Sequence, residues 1–93
     1  MRETSGPEVL LFARVLSLVE VCARSTVAAR ILQEVQDAAL HMRSHNQCHP
    51  SFGDGSLMSR CLMLSPPAEP LATDREFLAS LMVACHALLH SRR

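Results

Sequence analysis

The sequence predicts an all-α protein, arranged either as a small helical hairpin or as three helices with a Pro/Gly-rich linker. Two observations carry this prediction. Apolar residues recur at the spacing of one helix face in the first half of the chain and again near its C-terminus. Between these regions prolines and glycines cluster, and the helical spacing stops. The 93 residues allow one small domain, 1–93, with a thin margin of stability.

The first helical region is predicted over residues 6–45. Ser5 and Glu8 have the spacing of a capping box, and Pro7 is tolerated in a first turn because its missing N–H needs no partner there. Neither glycine nor proline then interrupts the chain before residue 46. The region is therefore one long helix or two shorter ones.

The apolar stripe of this region changes sides near Ser25 and Thr26. Two sets of apolar residues keep helical spacing, but their faces lie roughly 170° apart. Serine and threonine are good N-caps, so a break here would form a hairpin whose stripes face each other. An unbroken helix would instead need a partner to cover one face. The sets are Leu11, Val15 and Leu18 before the shift, and Ile31, Val35 and Met42 after it.

Residues 46–73 form the predicted linker. Ser56 is suited to cap a short helix over residues 57–64, although the same apolar run also suits an extended segment. The stretch from Ser65 to Leu71 contains three prolines and is expected to be a stiff, polyproline-like spacer.

The C-terminal helix is predicted over residues 74–91. Thr73 and Glu76 have the spacing of a second capping box, and Asp74 adds a carboxylate where the helix dipole favours it. The apolar residues that follow form one broad face, with Ser80 and His86 on the polar side. That face consists of Phe77, Leu78, Leu81, Met82, Cys85, Leu88 and Leu89.

Composition narrows the class of partner. Nine arginines balance nine acidic residues and lysine is absent, so no basic field exists to hold nucleic acid. The apolar stretches over residues 9–16 and 77–89 are both shorter than the roughly 20 residues of a membrane span. Glu3 and Glu8 argue against a signal peptide, and four cysteines without one favour reduced thiols. We therefore expect an intracellular protein, in cytoplasm or nucleus, that binds neither nucleic acid nor membrane.

The densest group of ligand-type side chains lies near residue 45. His41, His45, Cys48 and His49 have donor atoms suited to zinc, and the first two share a helix face. Their spacing matches no standard zinc module, and histidines near a helix C-terminus have an ordinary electrostatic role. We predict no metal and no cofactor, with a zinc-stabilised module as the alternative.

The sequence contains no phosphate loop, nucleophile elbow or paired carboxylates on one face, so we expect a non-enzymatic protein. The surplus of apolar stripes predicts a small adaptor or scaffold subunit that docks helix faces onto larger proteins of a complex. A self-associating helical oligomer is a second alternative. The residues predicted to pack or to bind a partner are Leu11, Val15, Leu18, Ile31, Val35, Met42, Phe77, Leu81, Cys85 and Leu88.

The use of arginine in place of lysine, together with many alanines, leucines and histidines, resembles the composition of small herpesvirus proteins. This resemblance implies a viral accessory subunit as a further alternative. It is one of composition only, because no motif of the chain carries it.

Overall fold

A computed structural model describes residues 4–67 and 74–91. The all-α prediction is confirmed, because these residues form four α-helices and no strand. None of the helices within these two ranges is long and apolar enough to cross a membrane. The helices are α1 (Gly6–Leu16), α2 (Arg24–His45), α3 (Leu57–Met63) and α4 (Arg75–Leu89), with a 3₁₀ turn at Val21–Ala23.

The first helical region is two helices separated by residues 17–23. α1 ends at Leu16 and α2 begins at Arg24, so the break precedes Ser25 and Thr26, which lie in the first turn of α2. Two separate helices orient independently, which explains why their stripes are out of phase. The stripes do not face each other as in the expected hairpin: both helices pack mainly against α4 and α3, and they contact each other little.

Arg24 organises this break. It is 3% exposed, and its Nε donates to the carbonyl oxygens of Leu16 at 3.0 Å and Val19 at 2.9 Å. Its Nη2 donates to the Ser17 carbonyl at 3.5 Å and to the Glu76 carboxylate at 2.7 Å. These carbonyls lie at and just beyond the end of α1, where the helical ladder of hydrogen bonds stops, although that of Leu16 also accepts from the backbone N–H of Val19 at 3.0 Å. One guanidinium therefore caps α1, begins α2 and joins both to the first turn of α4.

Residues 46–56 form a tight turn against α2. Asn46 ends α2 in the left-handed conformation, with φ 52°, and His49 and Gly53 then exchange backbone hydrogen bonds. Gly55 is buried with φ 93°, and a Cβ added there would lie 2.7 Å from the Cα of Ala39 in α2. Glycine is needed at this position for its conformation and for the close approach of two backbones.

Two carboxylates hold the N-terminus of α3, where Ser56 is the N-cap and its Oγ accepts from the backbone N–H of Ser59. Asp54 accepts from the backbone N–H of Ser56 at 2.9 Å. Glu8, which is 7% exposed, accepts from the backbone N–H of Met58 at 2.9 Å through its second oxygen. Its first oxygen accepts from the backbone N–H of Ser5 at 3.1 Å. The local capping box predicts only this contact in α1, whereas the same carboxylate also stabilises α3.

The predicted spacer over residues 65–71 is described only as far as Pro67, whose carbonyl accepts a hydrogen bond from Arg14 at 3.0 Å. Its remainder lies outside the described residues, as does Thr73 of the second capping box. Asp74 is the N-cap of α4, and its carboxylate accepts the backbone N–H three residues further on. The cap therefore lies one residue later than the Thr73 box predicts.

One hydrophobic core joins the four helices. It is built mainly from aliphatic side chains, as expected from an aromatic content of 3%. Its buried members are Leu11, Phe12, Ala13, Val15, Leu16, Ala28, Ile31, Leu32, Val35, Leu57, Cys61, Phe77 and Ala84.

Candidate interaction surface

The buried face of α4 overlaps only in part with the one that the sequence predicts, because Phe77, Leu81 and Leu88 pack on the core but Leu78, Met82, Cys85 and Leu89 do not. Its buried residues are Phe77, Ser80 and Ala84, whereas Cys85 is exposed. The prediction that Ser80 lies on the polar side is therefore wrong, and Cys85, which is predicted either to pack or to bind a partner, lies on the surface. Serine and alanine leave room for α4 to approach the neighbouring helices closely, which larger side chains at 80 and 84 would prevent.

The burial of Ser80 has an energetic cost. Its hydroxyl oxygen is buried and has no hydrogen-bond partner among the described residues. A buried hydroxyl in this state costs about 1–3 kcal/mol. α4 thus places an unpartnered hydroxyl in the core while larger apolar side chains of the same helix remain in water.

These exposed side chains form a continuous surface that we call the outer stripe, made of Leu78, Met82, Cys85 and Leu89. The first is 42% exposed, the second 75% and the last 80%, and Cys85 is also exposed. At about 100° per residue the stripe spans roughly 60° of the helix and lies roughly 140° from the buried face. Apolar anchors at this spacing are typical of a helix that lies in a partner's groove.

The residues predicted to pack or to bind a partner are divided by the structure into three groups. Leu18 is 61% exposed because α1 ends two residues before it, so it no longer continues the stripe of that helix. The outer stripe shares only Cys85 with the predicted set. Leu11, Val15, Ile31, Val35 and Phe77 are buried, Met42, Leu81 and Leu88 are half-buried, and Leu18 and Cys85 are exposed.

The four cysteines are free thiols that differ in accessibility. Cys61 is buried in the core, whereas Cys22, Cys48 and Cys85 are exposed. Burial raises the pKa of the Cys61 thiol to about 12, an effect that Arg60 opposes. Because the thiolate is the reactive species, burial and pKa both protect Cys61 from alkylation.

We expect iodoacetamide at neutral pH to modify three cysteines of the native protein rapidly and Cys61 only upon unfolding. Mass spectrometry of the intact chain and of its peptides measures both the number and the positions of the adducts. The chain in denaturant, in which all four thiols react, is the control. Modification of Cys61 as fast as Cys85 would contradict the packing of α3.

The histidines near residue 45 pack as aromatic rings. The rings of His41 and His45 stack with centroids 4.3 Å apart, and His49 meets His41 edge-on at 5.1 Å. Nδ1 of His49 accepts from the backbone N–H groups of Ser51 and Phe52. Desolvation lowers the pKa of His41, and the two neighbouring imidazoles lower it further.

This geometry does not suit the zinc alternative. Parallel stacked rings direct their nitrogen lone pairs into parallel planes, so His41 and His45 do not converge on one ion. Nδ1 of His49 is occupied by backbone donors, and Cys48 is exposed. Throughout the part of the chain that the structure describes, no three His, Cys, Asp or Glu residues are placed to hold a metal.

A cleft of about 400 Å³ separates the C-terminal half of α4 from α2. His86 and His90 stack within it, with Nδ1 of His90 3.0 Å from the His86 carbonyl oxygen. Among the described residues, no hydrogen bond joins either imidazole to a serine or a carboxylate. The lining residues are Ser25, Ala29, Leu32, Gln33, Gln36, His86, Ala87, His90 and Ser91.

Comparison with protein families identifies one match, which covers nearly all of the helical part. The chain belongs to the family described as Domain of unknown function (DUF7742), which matches residues 6–88. Comparisons with curated proteins and with solved structures gave no match. The match begins with the first residue of α1 and ends one residue before the end of α4, so it includes most of the outer stripe.

Proposed function

We propose that this DUF7742 member is a non-enzymatic helical adaptor that lays the outer stripe of α4 into an apolar groove of a larger protein. The observation that supports the proposal is the exposure of Leu78, Met82 and Leu89 along one helix face. Transferring a large apolar side chain from water into a groove contributes about 1.5–3 kcal/mol. Three such anchors are a substantial driving force for docking.

The dimensions of α4 favour a larger partner over a second copy of the chain. A helix of 15 residues is roughly 22 Å long, and a stripe about 10 Å wide along it covers on the order of 200 Å². A stable interface buries about 800 Å² on each partner. A groove that receives the outer stripe and extends over neighbouring surface supplies the additional area, whereas two α4 stripes packed face to face do not.

The free thiols favour the cell interior as the place of this interaction. Cys22, Cys48 and Cys85 are exposed and unpaired with one another. Exposed thiols persist in a reducing compartment and are oxidised outside it. The net charge of zero also favours a protein partner over the phosphate backbone of a nucleic acid.

The test is a double variant, Met82→Arg with Leu89→Arg, which places charge on the outer stripe without altering the core. Arginine is a good helix former, and both positions are at least 75% exposed, so we expect an unchanged circular dichroism spectrum and melting temperature. We expect the wild-type chain, tagged and recovered from its native cells, to retain a stoichiometric partner. The double variant should lose that partner by at least roughly tenfold in quantitative mass spectrometry and in binding to the purified partner.

Leu40→Arg is the matched control, because Leu40 is 56% exposed on α2 and lies outside the outer stripe. This variant should retain the partner. Equal recovery with the double variant, or no stoichiometric partner at all, would refute the proposal. Light scattering tests the homo-oligomer alternative. If the wild-type chain is a dimer and the double variant is a monomer, the outer stripe joins two copies of the chain and the adaptor proposal is wrong.

A further inference from the structure

A second candidate surface lies at the elbow between α1 and α2. It is a groove of about 190 Å³, here called the elbow groove. None of its lining residues belongs to α4, so it is independent of the outer stripe. The lining consists of Val15, Leu18, Val19, Val27, Arg30, Ile31, Arg60 and Leu64.

The size and lining of the elbow groove favour a side chain of another protein. Sites for small molecules usually enclose about 300–1,000 Å³, so this volume is too small for one. Val15 and Ile31 are buried side chains that line it. Leu18, at 61% exposed, is an apolar side chain on the rim that is available to contact an inserted residue. The space therefore suits one large aliphatic or aromatic anchor.

The charged residues that line the groove are two arginines, Arg30 and Arg60. Arg60 is neutralised by Glu34, with 2.9 Å between Nε and Oε1. Arg30 is exposed and has no ion pair among the described residues. Among the lining residues, Arg30 therefore supplies one positive charge without an ion pair beside an apolar hollow.

We propose that the elbow groove binds an acidic segment of a second protein, in which one leucine- or phenylalanine-sized side chain fills the hollow and neighbouring carboxylates pair with Arg30. Arginine forms bidentate hydrogen bonds with carboxylates, and complementary charge sets the orientation of a bound segment. Together with a partner at the outer stripe, such binding would let the chain join two proteins, but binding at the elbow groove is a separate claim. This inference does not depend on the proposed role of α4.

The experiment begins with a random-peptide library displayed on phage and selected against the immobilised full-length chain. We expect the enriched peptides to share a large apolar residue flanked by Asp or Glu. A labelled peptide of this type should bind with an affinity, measured by fluorescence polarisation, that falls as the salt concentration rises. Arg30→Glu should weaken binding by at least roughly tenfold, and Arg30→Gln should have a smaller effect.

Arg43→Glu is the matched control, because Arg43 is an exposed arginine of the same helix outside the groove. It should leave the affinity unchanged, and so should the Met82→Arg and Leu89→Arg pair. Leu18→Asp tests the apolar half of the site and should also weaken binding. The proposal is overturned if the selection enriches no peptide or shows no preference for acidic residues. It is also overturned if Arg30→Glu and Arg43→Glu change the peptide affinity equally, or if the outer-stripe variant loses binding.

Discussion

Arg24→Met is expected to lower the free energy of unfolding by about 3 kcal/mol, because backbone carbonyls at the end of α1 lose a charged donor. Those of Leu16, Ser17 and Val19 all accept from this guanidinium in the native protein. Methionine retains much of the side-chain volume but donates no hydrogen bond. Urea denaturation followed by circular dichroism measures the change. Arg24→Lys has one donor group in place of a planar fork, so its free energy of unfolding should lie between those of the wild type and Arg24→Met.

Glu76→Gln separates the two roles of Arg24. The Arg24–Glu76 ion pair has a short distance of 2.7 Å, but the Glu76 side chain is 69% exposed. An ion pair exposed to this extent contributes about 0–1 kcal/mol, so this variant should be close to wild type. If Glu76→Gln is as destabilising as Arg24→Met, the ion pair, and not the carbonyl contacts, stabilises the break between α1 and α2. If Arg24→Met costs under about 1 kcal/mol, the carbonyl contacts are unimportant, contrary to our expectation.

Gly55→Ala is expected to destabilise the protein by about 2–4 kcal/mol, from a strained backbone and an overpacked contact. The φ of 93° is unfavourable for any residue with a Cβ. The added Cβ would also lie 2.7 Å from the Cα of Ala39, a backbone atom that cannot rotate away. The turn over residues 46–56 would have to separate from α2, and thermal unfolding followed by circular dichroism measures the loss.

Gly6→Ala is the control for this prediction and should have the opposite sign. Nothing lies within 4 Å of a Cβ added at Gly6, which is the first residue of α1. Alanine is the better helix former, so this variant should be unchanged or more stable by up to about 1 kcal/mol. The same Gly→Ala change at the two positions should thus alter the free energy of unfolding by amounts that differ by several kcal/mol. A Gly55→Ala variant as stable as wild type would refute the close packing of the turn on α2.

Both predictions concern residues whose roles depend on distant partners. The sequence does not indicate the role of Arg24, because its partners are backbone carbonyls, which every residue has. The phase shift of the apolar stripe indicated a discontinuity, but the seven-residue break lies on its N-terminal side. Glu8 was recognisable as part of a capping box, whereas its contact with Met58 spans 50 residues. Local signals identify helix ends, and they do not identify which ends share a side chain.

The orientation of α4 shows the same limit. Its apolar residues cover a wide arc, and hydrophobicity alone ranks Leu78, Met82 and Leu89 as core candidates above Ser80. The helix instead presents two small residues, Ser80 and Ala84, to the core together with Phe77. A choice of this kind depends on the shapes of the opposing helices, which the sequence of α4 does not contain.

The sequence by itself determined the all-α class, because helical periodicity and caps act over a few residues and are readable locally. The tertiary structure alone decided which apolar face of α4 meets water and where the elbow between α1 and α2 opens a groove lined by apolar residues and two arginines. Both depend on contacts between residues far apart in the chain, such as Arg24 with Glu76 and Gly55 with Ala39. Packing of this kind depends on the shapes and donors that separate helices present to one another.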